Sequence, residues 1–161
     1  MAELLIIYHS KTGGSRQMAE AAAQAARDET TTTLIPAAEA GPEDMLRADG
    51  YIFCAPENLA AIAGVMKDFF DRCYYPVLGR IEGRPYAQMV CAGSDGENAA
   101  RQTARIAQGW RLKEVQKPLI ICTHAQTPEA ILAPKTIPDD QLAQCRELGA
   151  ALGAGLALGV F

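Results

Sequence analysis

Short apolar runs alternate with longer amphipathic stretches along the whole chain. Leu4-Leu5-Ile6-Ile7-Tyr8 is continuously apolar and too short for a helix face, so it predicts a buried strand. Thr30–Ile35 is β-branched and stops at Pro36, which predicts a second. Tyr51-Ile52-Phe53-Cys54 predicts a third, ending at Ala55-Pro56, and Tyr86–Cys91 and Leu119–Cys122 predict two more. Between these runs the period changes to that of a helix. Met18, Ala22 and Ala25 recur at helical spacing from Arg16 to Asp28. Pro42–Leu46 reads as a short helix with proline in its first turn. From about Ala61 to Tyr74, Ile62, Val65, Met66, Phe69, Phe70 and Cys73 share one broad face, and Pro76 is expected to close the helix. A further helix runs from Glu97 to Leu112. The last begins at Asp139 or Asp140 with Leu142, Cys145, Leu148 and Leu152 inward.

Strands alternating with helices imply right-handed crossovers and a parallel sheet covered on both faces. The predicted fold is therefore α/β: a three-layer, doubly wound, five-stranded parallel sheet, as a single domain over residues 1–161. In that architecture ligands bind beyond the carboxyl ends of the strands. The loops at Ser10, Pro56, Gly93 and His124 all follow strands and are expected on that edge. The proline-rich stretch from Thr123 to Pro138 is long for a connection and suits an ordered flap or an interface element.

Composition narrows the function classes. The formal net charge of −4, with no basic run, argues against nucleic acid as a partner. The cysteines at 54, 73, 91, 122 and 145 are widely spaced without C-x-x-C, so no metal site and no disulfide framework is expected. The first residues run straight into a strand, and Leu148–Phe161 is too short and glycine-rich for a membrane span. A cytoplasmic protein without membrane insertion is the expectation.

The chemistry concentrates where the first strand breaks into Ser10-Lys11-Thr12-Gly13-Gly14-Ser15. A loop at a helix N-terminus directs unpaired amides and the positive end of the helix dipole at an anion. Three hydroxyls add donors, and the two glycines permit close backbone approach. Neither G-x-x-x-x-G-K-[ST] nor G-x-G-x-x-G is present near this strand. Lys11 is read as either a solvated loop lysine or a phosphate contact.

Ser10–Ser15 resembles the flavodoxin phosphate loop pattern [ST]-x-T-G-x-[ST]. Pro56-Glu57-Asn58, leading into Met66-Lys67-Asp68-Phe69-Phe70-Asp71-Arg72, is similar to the flavin loop and following helix of the flavodoxin-like quinone reductases and NAD(P)H-dependent FMN reductases. The resemblance implies an FMN cofactor. Its phosphate would lie on Ser10, Lys11, Thr12, Gly13, Gly14 and Ser15. Its ring would lie between Ala55, Pro56, Glu57, Asn58 and Leu59 on one side and Ala92, Gly93, Ser94, Asp95 and Gly96 on the other. It further implies hydride transfer from NAD(P)H to a small acceptor such as a quinone, with no catalytic side chain required, and a homodimer or homotetramer. Two alternatives stay open: a flavodoxin-type electron carrier without its own substrate, and a flavin-free binding module of the same fold. The sequence departs from the electron carriers in lacking aromatic residues in both ring loops, which leaves a ring face open to a second flat molecule. Tyr74 and Tyr75 are read as helix-end packing or as an aromatic wall. His9 and His124 are read as structural strand-end residues or as proton donors to a reduced acceptor.

Overall fold

Strand β1 (Glu3–Tyr8) lies inside the sheet, paired in parallel with β2 (Thr31–Pro36) on one side and β3 (Gly50–Asn58) on the other. Beyond β3, β5 (Pro85–Ala92) pairs in parallel with it. The computed structural model describes residues 1–161, and its sheet has the order β2-β1-β3-β5 with two short strands alongside β5. These are β6 (Lys113–Glu114) at the start of β5 and β7 (Leu119–Cys122) at its end, both parallel to it. The predicted fifth strand is thus present as β7 with the bounds expected, and β6 is an additional two-residue strand separated from it by the stretch containing Pro118, which has no amide to give to a ladder.

Side-chain alternation divides the core in two. Leu4 and Ile6 of β1, Ile52 and Cys54 of β3, and Met89 and Cys91 of β5 face helices α1 (Gly14–Arg27) and α6 (Asp139–Leu158). Leu5 and Ile7, Tyr51 and Phe53, and Tyr86 face the opposite layer, formed by α2 (Pro42–Arg47), α3 (Gly64–Val77) and α4 (Glu97–Gly109). That second core is aromatic at its centre. Phe53 meets Phe70 edge-on at 5.2 Å, and Trp110 stacks on Tyr74 at 5.6 Å while donating its indole N–H to the Tyr74 carbonyl at 3.0 Å. Tyr74 is therefore helix-end packing, whereas Tyr75 is exposed. The first core is built for close approach. Gly149 and Gly153 of α6 lie directly against the backbone of Ala22 and Ala26 in α1. All five cysteines are free thiols. No helix is long and apolar enough to cross a membrane.

Several features depart from the sequence pattern. In α1 it is Ala26, not Ala25, that is fully buried. β3 does not stop at Ala55-Pro56 but runs to Asn58, Pro56 pairing opposite Cys91. It then folds back through Leu59-Ala60 into β4 (Ala61–Ile62), so α3 begins at Gly64 rather than Ala61. Val65 consequently points outward instead of joining the inward face, and α3 continues through Pro76 to Val77. At the other end of the chain α4 stops at Gly109 before Leu112, and the 123–138 stretch holds a one-turn helix, α5 (Pro128–Leu132).

The reversal after β3 is the least expected of these. A two-residue hairpin turn of this hand needs both central residues in the left-handed region and usually carries Asn-Gly. Here Leu59 has φ 51° and Ala60 has φ 60°. Two side chains from α4 hold it: Asn98 donates to the Ala60 carbonyl at 2.6 Å, and Gln102 accepts the Ile62 amide at 2.8 Å.

Candidate functional site

Four loops open on the carboxyl edge of the sheet and enclose a cavity of about 570 Å³, within the range of small-molecule sites. They follow β1, β3, β5 and β7, and the cavity sits where the chain switches from one side of β1 to the other.

The loop after β1 forms its base. Gly13 takes φ 99° and leaves α1 without a side-chain cap. The Gly13 amide is satisfied by Ser10 Oγ at 3.1 Å. The amides of Lys11, Thr12, Gly14, Ser15 and Arg16 make no hydrogen bond within the chain. Ser15 is only 2% exposed, and its hydroxyl also has no partner although it lines the cavity. A buried hydroxyl without a partner carries an unrecovered desolvation cost. Five amides, one orphaned hydroxyl and a helix dipole form a donor set made for an oxyanion. Gly14 has no room for a side chain, since a Cβ there would sit 2.7 Å from Cys91 Sγ.

The two upper walls come from β3–β4 and from the segment after β5. Glu57 bridges them: its Oε1 accepts the Gly96 amide at 3.0 Å, and its Oε2 is buried without a partner. Gly93 and Gly96 are small by necessity, because a Cβ would lie 3.1 Å from the Ala125 carbonyl or 2.6 Å from Ile120 Cγ2, respectively. The fourth loop is fastened to this wall by the Thr123 and His124 amides donating to the Ala92 and Gly93 carbonyls, both at 2.8 Å.

Most of the residues singled out from the sequence converge here. Ser10, Lys11, Thr12, Gly14, Ser15, Pro56, Glu57, Asn58, Leu59, Ala92, Gly93 and Ser94 line the cavity. Gly13, Ala55, Asp95 and Gly96 do not. Gly13 shapes the turn, Ala55 is buried in the core, Asp95 Oδ1 accepts the Glu97 amide at 3.3 Å, and Gly96 serves the Glu57 contact. The structure adds Ala60, Cys91, Thr123, Ala125, Gln126, Ile131, Leu132 and Lys135. Burial pushes the Cys91 thiol up to about 11, so it is a neutral floor residue rather than a nucleophile. The last six additions belong to the long loop, whose Thr127-Pro128 pair is a legible helix start: Thr127 Oγ1 accepts the Ala130 amide at 3.2 Å.

His9 and His124 both stand outside the cavity lining. Burial, and secondarily the charge of Lys11, holds the His9 imidazole below its ordinary value of 6.5. The unfolded chain therefore binds more protons than the folded one as pH falls through about 6.5, so stability rises with pH up to that point and declines below it. Urea midpoints are expected to fall as pH drops from about 7 to about 5.5, and His9→Gln to flatten part of that slope. A slope unchanged in the variant would assign the whole effect to other groups.

Comparisons with known proteins bear on family and fold. Residues 29–127 match the family described as NADPH-dependent FMN reductase. Over 96 residues the chain is 37% identical to a flavodoxin from Aquifex aeolicus, covering 58% of this chain and 50% of that one. Over 94 residues it is 32% identical to an NAD(P)H dehydrogenase (quinone) from Acidithiobacillus ferrooxidans, covering 45% of this chain and 47% of that one. The matched part is thus about half the length of either relative. Among solved structures, a flavodoxin from the domain Archaea superposes with a TM-score of 0.77 at 15% identity, covering 96% of this chain and 98% of that one. At that identity the likeness establishes the doubly wound fold.

Proposed function

The chain belongs to the NADPH-dependent FMN reductase family, and on that premise we propose that it binds FMN and uses it to pass hydride from NAD(P)H to a small acceptor such as a quinone. The observation that carries this reading is the Ser10–Ser15 cradle, with its free amides and orphaned Ser15 hydroxyl, opening into a cleft that continues to Glu57. A phosphate monoester satisfies those donors, and a flat heterocycle attached to it reaches the Glu57 wall. Bound FMN supplies the hydride chemistry; the protein supplies grip, orientation and access.

The chain's own residues divide that work. The amides of Lys11, Thr12, Gly14, Ser15 and Arg16 and the Ser10, Thr12 and Ser15 hydroxyls take the phosphate. Glu57 Oε2 offers a buried acceptor to a ring N–H, and the Gly93 strip admits the edge of the ring. Leu59 on one rim and Ile131 and Leu132 on the other are all exposed, so the cleft is rimmed by aliphatic rather than aromatic groups. Such a rim sheds water while leaving a planar face free for stacking, which favours an enzyme that meets nicotinamide and acceptor in turn over a carrier with a covered ring.

The purified protein is expected to be yellow. Anaerobic mixing with NADPH or NADH is expected to bleach it rapidly, and adding a quinone to restore the colour. A flavin that no nicotinamide bleaches supports the electron-carrier alternative instead. A colourless protein that takes up no added FMN overturns the reading.

A further inference from the structure

We propose that Lys135 is the cation that neutralises the bound phosphate, delivered to the cradle by the long loop after β7, and that it sets the site's preference for a phosphorylated flavin over an unphosphorylated one. The inference rests on the FMN reading above and assigns a specific residue to its selectivity.

The loop is strapped across the cradle from outside it in sequence. The Lys135 amide donates to the Thr12 carbonyl at 2.8 Å. The Gln17 carboxamide fixes the strap on both sides: its Nε2 donates to the Lys135 carbonyl at 2.7 Å and to the Gly13 carbonyl at 2.9 Å, while its Oε1 accepts the Ile137 amide at 2.9 Å. The Lys135 backbone is thereby locked to the turn that shapes the anion site.

Its side chain is aimed just as firmly. The ammonium donates to the Ile131 carbonyl at 2.8 Å and the Ala133 carbonyl at 2.6 Å. An ammonium has three N–H groups. Those two contacts leave one, and it faces Thr12 Oγ1 at 3.4 Å, a weak contact that an anionic oxygen improves on. No carboxylate pairs with Lys135. The neighbouring cations are poorer candidates. Lys11 is exposed, and Arg16 is exposed and paired with Glu20 at 3.6 Å. A half-buried, acid-free ammonium beside a buried unpartnered hydroxyl and five free amides leaves the cradle with uncompensated positive potential. A phosphate dianion cancels that potential; a terminal hydroxyl does not.

Binding of FMN and of riboflavin to the flavin-stripped full chain, followed by quenching of flavin fluorescence, tests this. Lys135→Met is expected to weaken FMN binding about ten- to hundredfold, the range for one hydrogen bond to a charged group, and to change riboflavin binding less than about threefold. Lys135→Arg is expected to retain most of the FMN affinity. Lys135→Gln can still donate to the strap carbonyls without a charge and is expected to behave like Lys135→Met, so a misfolded methionine variant does not decide the matter. The wild-type FMN affinity is expected to fall with added salt more steeply than that of either neutral variant. An unchanged FMN affinity in the neutral variants overturns the proposal, as does an equal loss of FMN and riboflavin, which would make Lys135 a strap residue only. Wild-type protein that binds neither flavin defeats the FMN reading itself and this proposal with it.

Discussion

Replacing Gly149 by alanine is expected to lower the unfolding free energy by about 2 kcal/mol or more, net of helix propensity. Alanine is intrinsically better than glycine in a helix interior by roughly 1 kcal/mol, so propensity alone predicts a gain. Packing reverses the sign. A Cβ on Gly149 would lie 2.1 Å from the Ala22 carbonyl oxygen and 2.7 Å from that residue's carbonyl carbon and Cα. All three are main-chain atoms, so no rotamer change relieves the clash, and α1 and α6 must move apart. Separation also loosens the contacts of Met18, Cys145, Leu148 and Leu152 on that face. Gly64 is the matched control. It opens α3, and a Cβ there meets nothing within 4 Å. Gly64→Ala is accordingly expected to be neutral or to stabilise by up to about 1 kcal/mol through the unfolded chain. Urea unfolding of the two variants measures both effects. Equal stability of Gly149→Ala and the parent would show that the two helices do not approach as closely as described.

Ser15→Ala is expected to move stability and affinity in opposite directions. Ser15 Oγ is buried and has no hydrogen-bond partner within the chain. Removing it deletes a desolvated hydroxyl at little cost in volume, so the flavin-free protein gains on the order of 1 kcal/mol. On the proposed reading FMN loses a hydrogen bond to its phosphate, and its affinity is expected to fall roughly ten- to hundredfold. The melting temperature of the variant is thus expected to exceed that of the parent without FMN and to gain less from added FMN. A variant less stable than the parent without ligand would mean that the hydroxyl already has a structural partner. An unchanged FMN affinity would remove it from the phosphate site.

The sheet was legible because burial on both faces leaves β1, β3 and β5 nearly continuous in apolar residues, and no competing element in the chain shares that pattern. The cradle was legible for a related reason: small residues and hydroxyls between an apolar strand and an alanine-rich helix have few other uses. The hairpin at Leu59-Ala60 was not, because neither residue advertises a left-handed conformation. Asn98 and Gln102, some 40 positions further on, impose it, and no local pattern encodes that contact. Ile62 followed from the same omission, since it belongs to β4 rather than to the helix, while Met66, Phe69, Phe70 and Cys73 keep the inward face of α3 and leave Val65 outside it. Lys135 was invisible for a stronger reason. Its relation to Thr12 exists only through the 123-residue separation that the fold closes.

The latch made by Gln17 also bears on the order of events during synthesis. Gln17 is made before its partners and cannot take hold of Lys135 and Ile137 until more than a hundred further residues have been added. Contacts this distant in sequence close slowly and late. A nascent chain therefore presents the turn after β1 unbraced while the sheet assembles, and the strap and α6, which follow every strand in the chain, brace it afterwards. Tight capture of a phosphorylated cofactor at that turn is therefore expected to wait for the strap.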